Sequence, residues 1–242
     1  MPKQLHEFRF LPLFMVGFVV CIMTSNILCA KQHQFGYFFF GPLILAGGTL
    51  FYPLTYIFAD TLTEVYGYNA TRKTIWCGFA ALLYFTAAAY IVQILPAAPY
   101  WTHQNAYETI LGSVWQINAA SLLAYLCGEF CNSTIVAKMK LRAAKHVPEG
   151  QDVNRGMGLR FMASTTVGQL FDSLIFVTAG FVGSDMPLNQ MANMFISTWI
   201  FKVLWELVAL RWTIKFVKRL KIKEGTDALD RDTDFNPLHA NF

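Results

Sequence analysis

YPLTYIFADTLTEVYG, residues 52–67, follows one of the most apolar stretches of a 242-residue chain and sets Asp60 and Glu64 one helical turn apart. Whether this segment belongs to a water-exposed helix or to the polar end of a membrane helix decides the fold. Composition answers first. Hydrophobic residues make up 55% of the chain and charged residues 14%, against about 25% charged in an average soluble domain. So few charges cannot keep a globule of this size in water, and the chain reads as a membrane protein.

The apolar residues fall into six runs, 10–30, 37–59, 73–95, 110–137, 158–183 and 188–217. Each is long enough to cross a hydrocarbon layer of about 30 Å as a helix. The expected fold class is therefore an all-α membrane protein of six transmembrane helices, with residues 1–220 as the membrane domain and 221–242 as a cytoplasmic tail. The first run carries Pro12 and continues to Lys31 without a small-residue cleavage site, so it reads as a retained helix and not a signal peptide. Lysine and arginine orient the bundle. With the N-terminus inside, the inner segments collect Lys3 and Arg9, then Arg72 and Lys73, then Lys138, Lys140, Arg142, Lys145, Arg155 and Arg160, and finally Lys215, Lys218, Arg219, Lys221, Lys223 and Arg231. The outer segments keep Lys31, and the outer loop 96–109 has neither Lys nor Arg. That asymmetry places both termini in the cytoplasm. The net charge of +4 then reflects topology and not nucleic-acid binding.

Several function classes drop out. Cysteines 21, 29, 77, 127 and 131 form no CxxC pair, and they read as small apolar residues packed inside the bundle. The NST string at 132–134 matches a glycosylation sequon but lies inside an expected helix. There is no phosphate-binding Gly-rich loop, HExxH or GxSxG, so neither an enzyme nor a metal or other cofactor is expected.

What remains informative is the polar residues that lipid would reject. A charge at a span centre costs about 2.5–3.5 kcal/mol on insertion scales, and such residues face the bundle interior or a ligand path. LLAYLCGEFCNSTIVAK (122–138) sets Glu129 and Asn132 three apart, RFMASTTVGQLFDSLIF (160–176) sets Gln169 and Asp172 three apart, and FKVLWELV (201–208) sets Lys202 and Glu206 four apart. These spacings put each pair on one helix face. Asn26 and Asn118 add neutral hydrogen-bonding groups. Glu129, Asp172 and Glu206 against Lys202 leave a negative excess that must be relieved by protons, by Arg160 at an inner end, or by a donor-rich ligand. Two structural accounts compete with a binding site: pairing of Lys202 with Glu206 within one turn, and pairing of Asp60 and Glu64 with Arg72 and Lys73 at the inner interface. Against the second, Pro53 is expected to break or kink the second helix and turn its acids into a cavity.

PLTYIFADTLTEVYGY, GEFCN, Arg160 with Ser164 and the QLFDS run at 169–173, Lys202 with Glu206, and the tail strings KEGTDALD and DFNP occur in order from about Asn26 to Pro237. In these the chain resembles the bacterial queuosine precursor transporter family, also called the VUT or YhhQ-type family. It departs from the family pattern at Arg211, in ELVALRW, where a proline is expected. The resemblance implies an inner-membrane, multi-pass importer of 7-cyano-7-deazaguanine and 7-aminomethyl-7-deazaguanine for salvage into tRNA queuosine. It also implies a fold similar to the substrate-binding subunits of energy-coupling-factor transporters. A 7-deazaguanine offers a ring N–H beside an exocyclic amine, which a carboxylate accepts in two-pronged fashion, and a carbonyl that needs a donor. Glu129 or Asp172 suits the first role; Gln169, Asn132 or Lys202 suits the second; aromatic rings supply stacking faces. Asp60, Glu64, Glu206 and Asn26 complete the expected substrate-binding set. Dependence on a separate energising module, or another purine-like or vitamin-like cargo, is the alternative. The expected partners are the transported base and membrane lipid, and a homo-oligomer is compatible with the sequence.

Overall fold

A computed structural model describes residues 8–29, 31–38, 41–112, 115–146, 156–181, 183 and 187–238. Chain order is α1 (Leu11–Leu28), a hairpin of β1 (Gln32–Phe38) and β2 (Gly41–Ala46), a 3-10 turn (Gly47–Leu50), α2 (Pro53–Tyr66), α3 (Tyr68–Ile94), α4 (Gln104–Tyr107), one π turn (Glu108–Gly112), α5 (Trp115–His146), α6 (Met157–Phe181) and α7 (Leu188–Glu224). Among the described residues, four helices are long and apolar enough to cross a membrane: α1, α3, the Ala119–Lys145 part of α5, and α7. The protein is multi-pass. Their outer faces expose Leu13, Val16 and Val20 on α1, Leu83, Tyr84 and Ile91 on α3, and Leu207, Val208 and Trp212 on α7. An apolar belt of that extent is covered by lipid.

One expectation is corrected here. The run 37–59 is not one helix, because its first half is strand: Gln32 to Gln34 pair antiparallel with Ala46 to Ile44, with a register shift before Tyr37 opposite Pro42. The helix begins only at Pro53, whose ring fits the first turn, where a missing N–H costs nothing. Pro53 therefore starts α2 and does not kink it. At 14 residues α2 is about 21 Å long, too short to span the hydrocarbon alone. Eleven of those residues are buried, because α2 is the central element, packed by α1, α3, α5 and α7.

α2 stops at Gly67, which takes φ +88°, a conformation that L side chains rarely adopt. A Cβ there would also meet Asp230 Oδ1 at 3.2 Å, so the glycine admits the C-terminal segment as well as the turn into α3. α5 and α6 pack tightly at Gly128 and Gly168: a Cβ on Gly168 would lie 2.9 Å from the Gly128 carbonyl. Small residues allow such approach without a driving force from water. α7 runs unbroken through Arg211 for 37 residues.

Two apolar clusters bracket the bundle. Phe18, Ile22, Tyr52, Tyr56, Ala59, Ile75, Leu82 and Tyr125 fill one. Phe8, Leu11, Phe14, Leu62, Val65, Tyr66, Phe161 and Val217 fill the other, at the end where the basic residues gather.

Candidate functional site

α2 and its N-cap residue Tyr52 present Tyr52, Tyr56, Asp60 and Glu64 at intervals of four, so one face carries a ladder of polar groups about 6 Å apart. α5, α6 and α7 meet that ladder rung by rung.

At the first rung, Tyr52 Oη donates to Asp172 Oδ1 at 2.8 Å, and Lys202 Nζ bonds Asp172 Oδ2 at 2.5 Å. The Lys202 ammonium also lies 4.1 Å from the Tyr52 ring centroid, a cation–π contact. A cavity of about 480 Å³, counted with its open mouth, stands above this rung; Asn26, Cys29, Ser121, Phe176, Thr198 and Lys202 are among its lining residues. Asn26 is held at its wall by Nδ2 donating to the Ile22 carbonyl at 2.9 Å and by Ser121 Oγ donating to Asn26 Oδ1 at 2.7 Å.

At the middle rungs the bonding thins out. Asn132 Nδ2 donates to Asp60 Oδ1 at 2.7 Å. Asp60 Oδ2, both oxygens of Glu129, both oxygens of Glu206, Asn132 Oδ1, Tyr56 Oη and both polar atoms of Gln169 are buried with no hydrogen-bond partner. Thr55 lies beside Glu129, but its Oγ1 donates to the Tyr52 carbonyl at 2.7 Å. Buried polar groups are normally satisfied. The middle rungs depart from that rule, with open donors and acceptors on α2, α5, α6 and α7.

At the last rung the charges are matched. Glu64 Oε1 takes Arg160 Nη2 at 2.8 Å and Lys221 Nζ at 2.7 Å, with Lys140 Nζ at 3.8 Å. Lys140 also donates to the Glu64 carbonyl at 2.5 Å and, together with Lys221, ion-pairs Asp227 of the C-terminal segment at 2.5 and 2.8 Å. That segment is sewn across the basic end. Tyr68 N–H donates to Asp230, Arg72 Nη1 donates to the carbonyls of Asp234 and Asn236, and Trp76 Nε1 donates to that of Pro237.

The buried polar residues expected from the sequence thus converge on one axis: Asp172 and Lys202, then Glu129, Gln169, Asp60, Asn132 and Glu206, then Glu64, with Asn26 at the cavity wall. Three local expectations are corrected. Lys202 pairs with Asp172 across helices and not with Glu206 on its own. Glu64 is neutralised by Arg160 and Lys221, while Arg72 is engaged by the tail. Among the described residues no cysteine is fully buried: Cys77 and Cys127 are exposed and Cys21, Cys29 and Cys131 are intermediate, because at these positions they lie on the lipid side or at the cavity. NST 132–134 lies within α5, as expected. The side chain of Asn118 and residues Lys3 and Arg155 lie outside what is described. Tyr52, Tyr56, Lys140 and Asp227 were not singled out from the sequence. The interval of four was the available signal for the tyrosines; Asp227 lies in the tail string KEGTDALD that carries the resemblance, but nothing local says that a charged tail folds back.

Comparison with known proteins addresses the same stretch. Residues 46–216, which contain Asp60, Glu64, Glu129, Asn132, Gln169, Asp172, Lys202 and Glu206, match the family described as "Putative vitamin uptake transporter". A "Probable queuosine precursor transporter" of Bacillus subtilis (strain 168) is 31% identical over 163 residues, which is 67% of each chain. No solved structure matches. Matched by that family over residues 46–216 and 31% identical to this relative over two thirds of both chains, the protein belongs to the vitamin uptake transporter (VUT) family of membrane transporters.

Proposed function

We propose that this protein is an inner-membrane importer of queuosine precursors, 7-cyano-7-deazaguanine and 7-aminomethyl-7-deazaguanine, and that it moves them chemically unchanged for salvage into tRNA. The observation that carries this reading is the unsatisfied middle of the ladder, where Glu129, Gln169, Asp60 and Glu206 leave seven oxygen and nitrogen atoms open. A deazaguanine edge supplies adjacent donors for Glu129 or Asp172, and its carbonyl accepts from Gln169, Asn132 or Lys202. Tyr52, Tyr56 and Phe176 offer ring faces on which a flat base stacks. The name of the Bacillus subtilis relative supports the choice of base.

In this reading α6 is a further span and α2, lengthened across the bilayer by the hairpin and turn that precede it, completes six crossings; residues 1–220 form the membrane domain, and residues 221–242 form a cytoplasmic tail. Both termini are cytoplasmic, and the fold is of the kind used by energy-coupling-factor binding subunits. The cavity above Asp172 and Lys202 is then the outward vestibule, and Glu64 with its cations closes the cytoplasmic side.

The test is uptake of labelled 7-cyano-7-deazaguanine by liposomes containing the purified protein alone, with E129Q beside it. Uptake by the wild type that falls to the empty-liposome level in E129Q supports the importer. A protein that binds the base but moves none acts as a binding subunit for a separate energising module. Absence of binding rejects the base as cargo.

A further inference from the structure

We propose that Asp60 and Glu206 together hold an exchangeable proton, and that this proton is the ion coupled to movement of the cargo. The first half stands on the structure; the second rests on the transport reading above. Among the described residues, the carboxylates within electrostatic range of Asp60 are Glu206 from α7, Glu129 from α5 and Glu64 one turn along α2. Among the described residues, the buried cations of the surrounding elements are engaged elsewhere. α1 has no charged residue between Leu11 and Leu28. From α3, Arg72 is committed to tail carbonyls. From α5, Lys140 holds the Glu64 carbonyl, the Ala228 carbonyl and Asp227. From α6, Arg160 is on Glu64, and from α7, Lys202 is on Asp172 and Lys221 on Glu64.

Asp60 and Glu206 are fully buried, and three of their four carboxyl oxygens have no partner. A second observation points to the same ligand. Asn132, also fully buried, anchors its amide nitrogen on Asp60, so its unpartnered Oδ1 lies in the same space as an acceptor awaiting a donor. Two ionised carboxylates without a cation in a membrane interior repel each other and lack solvation. One proton placed on either removes a charge and creates the donor that the other carboxylate and Asn132 Oδ1 lack, as in carboxyl pairs that titrate as a unit. A metal ion is a poorer occupant, since among the described residues no three His, Cys, Asp or Glu side chains converge to hold one.

Glu129 links this proton to the cargo. It stands on α5 one turn before Asn132, the partner of Asp60, and lies within electrostatic range of both Asp60 and the Asp172–Lys202 pair. A donor-rich base resting on Glu129 therefore changes the field at Asp60. One proton is bound from the vestibule side and one is released on the basic side per cycle, and no covalent bond to the cargo changes.

The first experiment is infrared spectroscopy of the purified wild type near neutral pH in H2O and D2O, with D60N and E206Q for assignment and a melting curve to show that each variant folds. A protonated carboxyl C=O band that shifts on deuteration, and is lost or displaced in either variant, is expected. Its absence from the wild type overturns the proton site without reference to any cargo. The second experiment adds 7-cyano-7-deazaguanine to wild-type proteoliposomes holding an internal pH dye. Acidification of the lumen, and several-fold higher accumulation with acid outside than without a gradient, is expected; base entry with no proton movement overturns the coupling. If the wild type does not bind the base at all, the cargo assignment and the coupling both fall, and the infrared result still decides the site.

Discussion

Lys140 lies between two acids of different standing: its Nζ is 2.5 Å from Asp227 on the C-terminal segment and 3.8 Å from Glu64 in the bundle interior. The tail therefore belongs to the electrostatics of the buried polar ladder. Asp227 is 38% exposed, so the net worth of its ion pairs is about 1 kcal/mol or less. D227N should lower the melting temperature only slightly, whereas deleting residues 226–242 also removes the bonds to Tyr68, Arg72 and Trp76 and should lower it by much more. Melting of both variants in one detergent checks the ordering.

The same acid gives a pH dependence with a definite sign. Burial pushes the Asp227 carboxyl up, but Lys140 and then Lys221 outweigh it and hold it below its ordinary value. A carboxyl depressed in the folded state contributes stability above the ordinary aspartate range and loses it as pH falls through the folded value. The small gap in melting temperature between wild type and D227N should therefore be full at neutral pH and close under acid conditions. A gap that widens as pH falls would reverse the assignment.

Breaking the Asp172–Lys202 pair on one side should be costly. K202M leaves a buried carboxylate with only Tyr52 as partner, and loss of one member of a buried pair costs about 3–5 kcal/mol. The double variant D172N/K202M removes both charges and should recover most of that stability without recovering base binding. Denaturation together with a binding assay on the two variants separates structure from recognition.

The contact between α5 and α6 depends on two missing side chains. In G128A the new Cβ would clash with Tyr56 Oη and meet Asp172 Cβ at 2.8 Å; in G168A it would meet the Gly128 carbonyl at 2.9 Å. Overpacking of this kind costs about 1–3 kcal/mol. Because the first clash moves Tyr56 and Asp172, G128A should impair base binding more than G168A does at comparable melting temperature. Equal binding loss in both would assign the glycines to packing alone.

Glu64 is the counter-charge for Arg160 and Lys221, with Lys140 close by. E64Q leaves Arg160 and Lys221 facing a neutral amide, while Lys221 keeps its pair with Asp227, and should destabilise by up to the roughly 3–5 kcal/mol expected for a broken buried pair. E64D keeps the charge on a shorter stem and should recover part of the loss, which the same melting assay would read.

The sequence by itself determined that this is a membrane protein, which helices carry its polar groups and on which face. Hydrophobic run length, charge scarcity and the i, i+3 and i, i+4 intervals are local properties of the chain. Glu129 with Asn132 on α5 and Gln169 with Asp172 on α6 were legible for that reason. The hairpin at 32–46 was not legible, because a short apolar run suits a buried strand as well as a helix until its neighbours are known. Nor could the sequence say which charge meets which. Lys202 is four residues from Glu206 yet pairs with Asp172, thirty residues away, because that carboxylate stands across the α6–α7 contact within its reach. Only the tertiary structure decided that the cations are drawn to the two ends of the ladder, leaving Asp60, Glu129 and Glu206 uncompensated between them. Pairing depends on distance and burial in the assembled bundle, and no spacing along the chain encodes either.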